Sequence, residues 1–132
     1  MLYALCETDP VHWQLDIYIV FDILAGMKPI VFLGNSLDEL RAFPDAARHQ
    51  AGFQLCKVQR GLMPDDFKPL STVGTGVQEI RVRDASGAYR VIYIAKLEDA
   101  VYVLHAFKKK TQRASKADIE LAKRRLAELV RK

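Results

Sequence analysis

The sequence contains few of the residues that build disulfide frameworks or metal sites. Only two of its 132 residues are cysteines, Cys6 and Cys56, and they form neither a CxxC pair nor a Cys/His cluster. The three histidines, His12, His49 and His105, also lack the spacing of metal ligands. We therefore expect no disulfide framework, no zinc site and no cofactor. A low cysteine content is typical of a protein of the reducing cytoplasm.

Long apolar runs are also missing. The most apolar stretch, residues 15–24, is interrupted by Asp16 and Asp22 and is well short of the roughly 20 residues that a membrane span needs. No basic segment precedes it, as a secretory signal would require. The sequence therefore predicts neither a membrane anchor nor an export signal.

Positive charge is absent from the first 27 residues and plentiful after them. Residues 1–27 contain four acidic residues and no Lys or Arg, so residues 28–132 carry all 20 basic residues and a net charge of +8. Half of the chain is hydrophobic and 27% is charged, which is typical of a globular protein. A basic body of this size predicts one domain and an anionic partner such as nucleic acid. A soluble protein that is merely basic is the alternative.

The contrast in charge indicates a division of the chain at Met27. We assign residues 1–27 to an N-terminal extension and residues 28–132 to the functional domain. One interpretation is that translation starts at Met27, so that the residues before it have no evolved structure. The other is that an acidic, apolar extension packs against the basic domain and shields it.

A strand and a first helix are predicted at the start of the domain. Residues 29–34 are mostly aliphatic and predict a short strand. Ser36 and Glu39 have the spacing of a capping box, which marks the start of a helix. We expect this helix to end near Phe43, because Pro44 cannot continue it.

A second helix and a loop are expected next. The helix should cover residues 45–60, with Gly61 at its end. Its inward face is predicted to consist of Ala47, Ala51, Leu55 and Val58. Residues 62–76 contain two prolines and two glycines and predict a loop. Gly74 and Gly76 are not followed by a third glycine and a helix, so they do not predict a phosphate-binding loop.

Residues 77–111 contain the strongest strand pattern in the chain. Three runs rich in Val, Ile and Tyr are separated by turn-forming residues at 84–88 and 97–100, which predicts an antiparallel meander. In the first run two aliphatic residues alternate with three charged ones: Ile80 and Val82 with Glu79, Arg81 and Arg83. Since side chains alternate between the faces of a strand, the aliphatic pair should face the core and the charged trio the solvent.

The last element is predicted to be a basic helix. A polar link at residues 111–114 precedes Ser115 and Asp118, which have the spacing of a helix cap. The helix has an apolar stripe formed by Ile119, Ala122, Leu126 and Leu129. The predicted fold class is therefore α+β, with an N-terminal strand, a helical hairpin, a three-stranded antiparallel meander and a C-terminal helix.

Several motifs resemble a known toxin family. They are E-I-R-x-R at 79–83, Y-R-V-I-Y at 89–93, L-H-x-F-x-K-K-T at 104–111 and I-x-x-A-K-R-R at 119–125. Together they resemble the HigB-like branch of the RelE/ParE toxin superfamily, over residues 28–130. The resemblance implies a RelE-like fold and a type II toxin, in most members a ribosome-dependent mRNA endonuclease. The partners that it implies are a helix-turn-helix (HigA-like) antitoxin, the ribosome and mRNA.

The resemblance and the chemistry of metal-free RNA cleavage indicate candidate catalytic residues. A 2′-hydroxyl attacks the adjacent phosphate, so the site must stabilise extra negative charge and move two protons. Arg90 is the first candidate for the scissile phosphate, because a guanidinium can bind two oxygens at once. The resemblance implies a further cation at the end of the last strand, where Lys108 and Lys109 stand. Tyr93 and His105 are the candidates for proton transfer, since histidine titrates near neutral pH.

Three more cations, Arg81, Arg83 and Lys110, are predicted to bind RNA phosphates. Each candidate also has a purely structural interpretation. His105 and Tyr93 could be core residues, the lysines could be solvated, and Arg81 and Arg83 could pair with Glu79.

One departure from the family leaves the general acid and base unassigned. After Lys110 the sequence lacks the tyrosine or histidine that many members carry near the C terminus. Two other functions also remain open. The ParE branch of the same fold inhibits DNA gyrase without cleaving RNA, and a phage-derived nucleic-acid-binding module would not be toxic.

Overall fold

The computed structural model describes residues 2–3, 27–110 and 115–131, in which six strands form one sheet. The strands are β1 (Leu2–Tyr3), β2 (Ile30–Phe32), β3 (Phe67–Pro69), β4 (Val77–Asp84), β5 (Gly87–Ile94) and β6 (Val101–Lys109). Their order across the sheet is β1-β2-β6-β5-β4-β3. All neighbours are antiparallel except β2 and β6, which are parallel. The helices are α1 (Ser36–Arg41), α2 (Asp45–Gln59) and α3 (Lys116–Val130). This is the α+β arrangement that the RelE-like resemblance implies.

The meander β4–β5–β6 is the centre of the sheet. A tight turn at Ala85 and Ser86 joins β4 to β5, and Asp84 Oδ1 accepts a hydrogen bond from the Ser86 backbone N–H at 2.7 Å. Gly87 has a φ of 147°, which an L side chain rarely adopts, so glycine suits the end of this turn. The predicted meander is confirmed.

One face of the sheet is covered by α1 and α2. Its strands contribute Ile80, Val82, Tyr89, Val91, Tyr93, Val101, Val103 and Ala106 to the larger apolar core. The inward residues of α2 are those predicted, because Ala47, Ala51, Leu55 and Val58 are all buried. Gly61 follows α2 with a φ of 83°, the left-handed conformation that commonly ends a helix.

The opposite face is covered by α3 over one end of the meander. A second apolar cluster there includes Val77, Ile92, Ile94 and Leu104 from the sheet and Ala122 from α3. The Ser115 hydroxyl accepts a hydrogen bond from the Asp118 backbone N–H at 3.1 Å, as the sequence predicts. Beyond this cluster the same face carries charged side chains.

Two features in residues 27–110 differ from expectation. Residues 62–76 are not wholly a loop, because β3 pairs with β4 through Phe67↔Ile80 and Lys68↔Glu79. Pro69 is tolerated in β3 since this is an edge strand. The capping box was also wrong. Asn35 stands at the N-cap without a side-chain cap, and the buried Ser36 hydroxyl instead donates to the Val103 carbonyl at 3.3 Å.

A third difference concerns Cys56, which is buried on α2 and forms part of a disulfide bond. The expectation of no disulfide was therefore wrong, because separation along the chain does not determine which cysteines meet in the fold. The other cysteine of the sequence, Cys6, is not among the described residues.

The predictions for the two ends of the domain can be followed only in part. Leu2 and Tyr3 pair antiparallel with β2, and the rest of the N-terminal extension lies outside the described residues. The polar link at 111–114 also lies outside them. In the described part of the chain no helix has the length and apolar content needed to cross a membrane.

Candidate nucleic-acid interface

Five cationic residues lie close together on the face that α3 covers only in part. They are Lys68, Arg81, Arg83, Arg90 and Lys109, which we call the cation patch. The strand register brings them together, because Arg81 is directly opposite Arg90 on the neighbouring strand, and Ala88 lies between Arg83 and Lys109. Directly opposed residues share a face of the sheet. Lys68 is opposite Glu79, so the patch follows from alternation along β3, β4, β5 and β6.

Arg90 forms the floor of the cation patch. Its side chain is 2% exposed, and its Nε lies 3.5 Å from Oε1 of Glu79, which is 3% exposed. Its Nη1 donates to the Tyr89 carbonyl at 3.0 Å. Burial lowers the pKa of Arg90, and repulsion from Arg81 and Arg83 lowers it further, while Glu79 opposes the shift. A buried guanidinium needs such a counter-charge, so Glu79 stabilises the arginine that the sequence placed first.

The accessible charge of the patch comes from its other members. Arg83 is exposed, and Arg81 and Lys109 are half-buried. Within the described residues no carboxylate lies within ion-pair distance of these three side chains. The buried Nε of Arg81 also lacks a hydrogen-bond partner there. Desolvation, then repulsion from Arg90, lowers the pKa of Lys109. Unpaired cations held this close together favour an anionic ligand.

A β-bulge determines which lysine of β6 joins the patch. His105 is opposite Ile92 and Val103 is opposite Tyr93, so Leu104 is an extra residue without a partner. This insertion reverses the alternation of the side chains that follow. Lys109 therefore faces the cation patch. Lys108 faces the α1 side, with its Nζ 6.0 Å from the centroid of the Tyr89 ring.

The remaining predicted cation, Lys110, is exposed immediately after β6. Because Lys110 follows the end of β6, it is not committed to either face of the sheet. The structure thus brings Arg81, Arg83, Arg90 and Lys109 together, and does not bring Lys108 to them.

Tyr93 lies on the other face of the sheet from the cation patch, within the core under α1 and α2. It is 2% exposed, and its hydroxyl donates to Gln78 Oε1 at 2.8 Å. Burial raises the pKa of Tyr93 to about 12. This geometry corresponds to the structural interpretation of Tyr93 and gives it no path to a substrate at the patch.

His105 shares the face of the patch but is held between two carboxylates. Its Nε2 lies 2.8 Å from Asp118 Oδ1 on α3, and its Nδ1 lies 3.2 Å from Glu39 Oε2 on α1. The Nδ1 contact is close but poorly aligned, so this buried atom has no hydrogen-bond partner among the described residues. The ring also stacks on Phe107, with centroids 5.0 Å apart. His105 therefore joins α1, β6 and α3 beside the patch.

Two site residues were missed by the sequence analysis. Lys68 lies in the segment predicted to be a loop, and its Nζ is 4.0 Å from Glu79 Oε1. Glu79 was expected on a solvated face but is buried beneath the arginines. The sequence did contain a signal for the role of Glu79. It lies on the same face of its strand as Arg81 and Arg83, and it is the one acidic residue among these three. Nothing in residues 62–76 indicated Lys68.

No group of three or more His, Cys, Asp or Glu side chains suited to a metal ion occurs among the residues that the structure describes.

Most of the domain matches a known protein family. The family model described as "Phage derived protein Gp49-like (DUF891)" matches residues 38–127, which extend from α1 into the last turns of α3. The matched segment includes every member of the cation patch. Among curated proteins no significant match was found.

Proposed function

Because the chain belongs to the phage-derived Gp49-like family, we propose that it is the toxin of a bacterial type II toxin–antitoxin pair. Its proposed activity is ribosome-dependent cleavage of mRNA, as the resemblance to the HigB-like branch of the RelE/ParE superfamily implies. The observation that carries the proposal is the cation patch, in which three accessible cations above a buried arginine have no carboxylate partner among the described residues.

The patch suits the charge that develops during RNA cleavage. Attack on the adjacent phosphorus by a 2′-hydroxyl that loses its proton produces a phosphorane with one more negative charge than the phosphodiester. The P–O bond to the 5′-oxygen of the next nucleotide then breaks, and that oxygen takes up a proton, which leaves a 2′,3′-cyclic phosphate. Fixed cations can stabilise that charge because they are already oriented when it forms. We assign direct phosphate contacts to Arg81, Arg83 and Lys109. Arg90 adds positive charge from below, and a phosphate that approaches it competes with Glu79.

Proton transfer is assigned to His105 rather than to Tyr93. A phenol whose pKa is raised to about 12 is a poor general base at neutral pH, and its hydroxyl faces the covered side of the sheet. His105 lies on the face of the patch, two residues from Phe107, which is directly opposite Arg90. Its two ring nitrogens lie near Glu39 and Asp118, which fix the orientation of the ring.

The proposed partners follow from the same activity. A helix-turn-helix antitoxin would neutralise the toxin, and the ribosome would present mRNA in an extended form to the patch. Lys108 and Lys110, which are exposed near the end of β6, add charge for contacts to rRNA or mRNA. The proposed reaction requires no metal ion and no cofactor.

Induction in bacteria tests the proposal. The full chain should arrest growth, and sequencing of RNA 5′ ends should show cuts within translated messages. The double variant Arg81→Gln/Lys109→Gln should reduce cleavage by about 10²-fold or more, because the transition-state charge loses two cations. The matched control Lys123→Gln/Arg124→Gln removes two charges from the exposed side of α3 and should leave cleavage intact.

The other outcomes identify the competing functions. DNA damage with intact mRNA would support a ParE-like gyrase inhibitor and refute the nuclease proposal. Normal growth with a stably folded chain would support a non-toxic nucleic-acid-binding module.

A further inference from the structure

A cavity of about 640 Å³ lies beside the cation patch, between the end of α1, the outer edge of β6 and the start of α3. It forms because β2 pairs with β6 only as far as Val103, while β6 continues to Lys109. Both faces of β6 contribute to the lining, through Ala106 and Lys108 on one side and His105 and Phe107 on the other. A volume of this size is within the usual range for small-molecule sites.

Aromatic rings form much of the cavity wall. Phe43 and Tyr89 are in contact, with ring centroids 4.7 Å apart and planes inclined by 44°. On the opposite side of β6, His105 and Phe107 stack with centroids 5.0 Å apart and planes inclined by 21°. All four side chains line the cavity and are largely buried. At most 9% of each residue is exposed, and this part gives the cavity an apolar wall against which a flat, unsaturated ligand can pack.

Polar groups stand at two places in the same cavity. Lys108 and Lys110 are exposed and supply positive charge for a phosphate. Glu39 supplies a carboxylate whose side chain is 30% exposed, and the buried Nδ1 of His105 beside it lacks a well-aligned partner among the described residues. A buried ring nitrogen of this kind is a position where a ligand atom or a water molecule is expected.

We propose that this cavity binds a guanine base of single-stranded RNA, with the phosphate of the same nucleotide at Lys108 and Lys110. Guanine presents two adjacent N–H donors, N1–H and the N2 amino group, which one carboxylate can accept together. Adenine and cytosine place an acceptor nitrogen beside their amino group, and that nitrogen repels a carboxylate. Glu39 therefore selects guanine, and the exposed parts of the rings pack against the base.

The base site deepens the proposed function, on which its link to RNA cleavage rests. Phe107 lines the cavity and is also the cross-strand partner of Arg90. Lys109 and Lys110 are consecutive, and they serve the patch and the cavity respectively. An RNA strand that crosses the patch can thus place a neighbouring base in the cavity, so guanine would be preferred near the cleaved bond.

Nucleotide binding by the full chain tests this inference separately from cleavage. In heteronuclear NMR titrations, 5′-GMP should shift the amide signals of Tyr89, His105 and Lys108. We expect 5′-GMP to bind about tenfold more tightly than 5′-AMP, and inorganic phosphate to bind more weakly than both. Equal shifts for the three probes, or shifts confined to the cation patch, would overturn the base site.

Three variants assign the roles within the cavity. Glu39→Gln should abolish the preference for 5′-GMP over 5′-AMP, while Lys108→Gln should weaken both nucleotides equally and keep the preference. Lys123→Gln is the control, because it removes a cation from the exposed side of α3 and should leave 5′-GMP binding unchanged. A preference that survives in Glu39→Gln would contradict the proposal. Because Lys108 is exposed, its variant remains informative even if Glu39→Gln disturbs the contact with His105.

Failure of the base site and failure of the proposed function give different results. A chain that binds 5′-GMP but cleaves no RNA refutes the nuclease proposal and leaves the cavity assignment intact. A chain that cleaves translated mRNA without binding 5′-GMP refutes the cavity assignment alone.

Discussion

The two faces of the central sheet are built from the same three strands but have opposite chemical character. On the face under α1 and α2, Ile80 and Val91 are fully buried in an apolar core. On the other face, at the neighbouring position of each strand, Arg81 is directly opposite Arg90 in the cation patch. The comparison teaches that single-residue alternation alone separates the core of this protein from its candidate site.

The buried side chains on the two faces are also stabilised in different ways. Apolar side chains are stabilised by removal from water, whereas the buried guanidinium of Arg90 depends on one carboxylate. Changes to the core should therefore lower stability without altering specificity for anions. Changes to the accessible cations should alter the binding of anions without lowering stability.

The largest expected effect is the loss of the buried ion pair. Glu79→Leu removes the counter-charge of Arg90, so chemical denaturation should show a loss of about 3–5 kcal/mol in the free energy of unfolding. The double variant Glu79→Leu/Arg90→Met removes both charges and should lose much less. Equal losses in the single and double variants would show that the unpaired charge of Arg90 is not what destabilises Glu79→Leu.

Truncation of the apolar core should have the next largest effect. Leu55 on α2 is completely buried, so Leu55→Ala should lower the free energy of unfolding by about 2–5 kcal/mol. RNA binding by the folded fraction should be unchanged, since α2 packs on the face away from the patch. A selective loss of RNA affinity in folded Leu55→Ala would contradict the separation of the two faces.

The stability of the protein at high pH should depend on the burial of Tyr93. Because its pKa is raised to about 12, the native state keeps a proton between pH 10 and 12 that the unfolded state loses. The free energy of unfolding should therefore fall as pH rises through this window, by up to about 1.4 kcal/mol per pH unit. Tyr93→Phe should flatten the decline. Tyr102→Phe should flatten it less, because the pKa of half-exposed Tyr102 is raised mainly by its hydrogen bond to Asp99.

The salt dependence of RNA binding should show whether the cations of the patch contact phosphates. Each phosphate contact to single-stranded RNA contributes about −0.7 to the slope of log K against log salt. Arg81→Gln/Lys109→Gln should make that slope less steep by about 1.4, whereas Lys123→Gln/Arg124→Gln should not change it. Affinity that stays constant from low to high salt in the unaltered chain would exclude phosphate binding by the patch.

The smallest effect is expected for the stability of single patch variants. Arg83 is exposed and has no ion-pair partner in the described part of the chain, so Arg83→Ala should change the free energy of unfolding by less than about 0.5 kcal/mol. Its RNA affinity should nevertheless fall. A thermal melt and a binding curve on the same sample measure both quantities.

The elements with a clear periodic pattern could be predicted from the sequence. Strand alternation placed Ile80 and Val82 in the core, helical spacing gave the inward face of α2, and Ser115 marked the start of α3. Each of these depends on neighbours within a few positions along the chain. Local pattern is sufficient in such cases.

The features that depend on distant contacts could not be predicted in the same way. Ser36 fits a capping box locally, but its hydroxyl bonds to Val103, which is 67 positions away. Residues 67–69 contain a proline and become a strand only because β4 offers an edge to pair with. The bulge at Leu104 decides between Lys108 and Lys109, and no residue type there marks it.

The most direct test of the cation patch uses purified full-length chain and ribosomes that hold a defined mRNA. Primer extension on the mRNA measures cleavage by the unaltered chain, by Arg81→Gln/Lys109→Gln and by the charge-matched Lys123→Gln/Arg124→Gln. We predict cleavage by the first and third and a loss of about 10²-fold or more in the second. Equal cleavage by all three folded proteins would contradict the central claim that these strand cations carry the reaction.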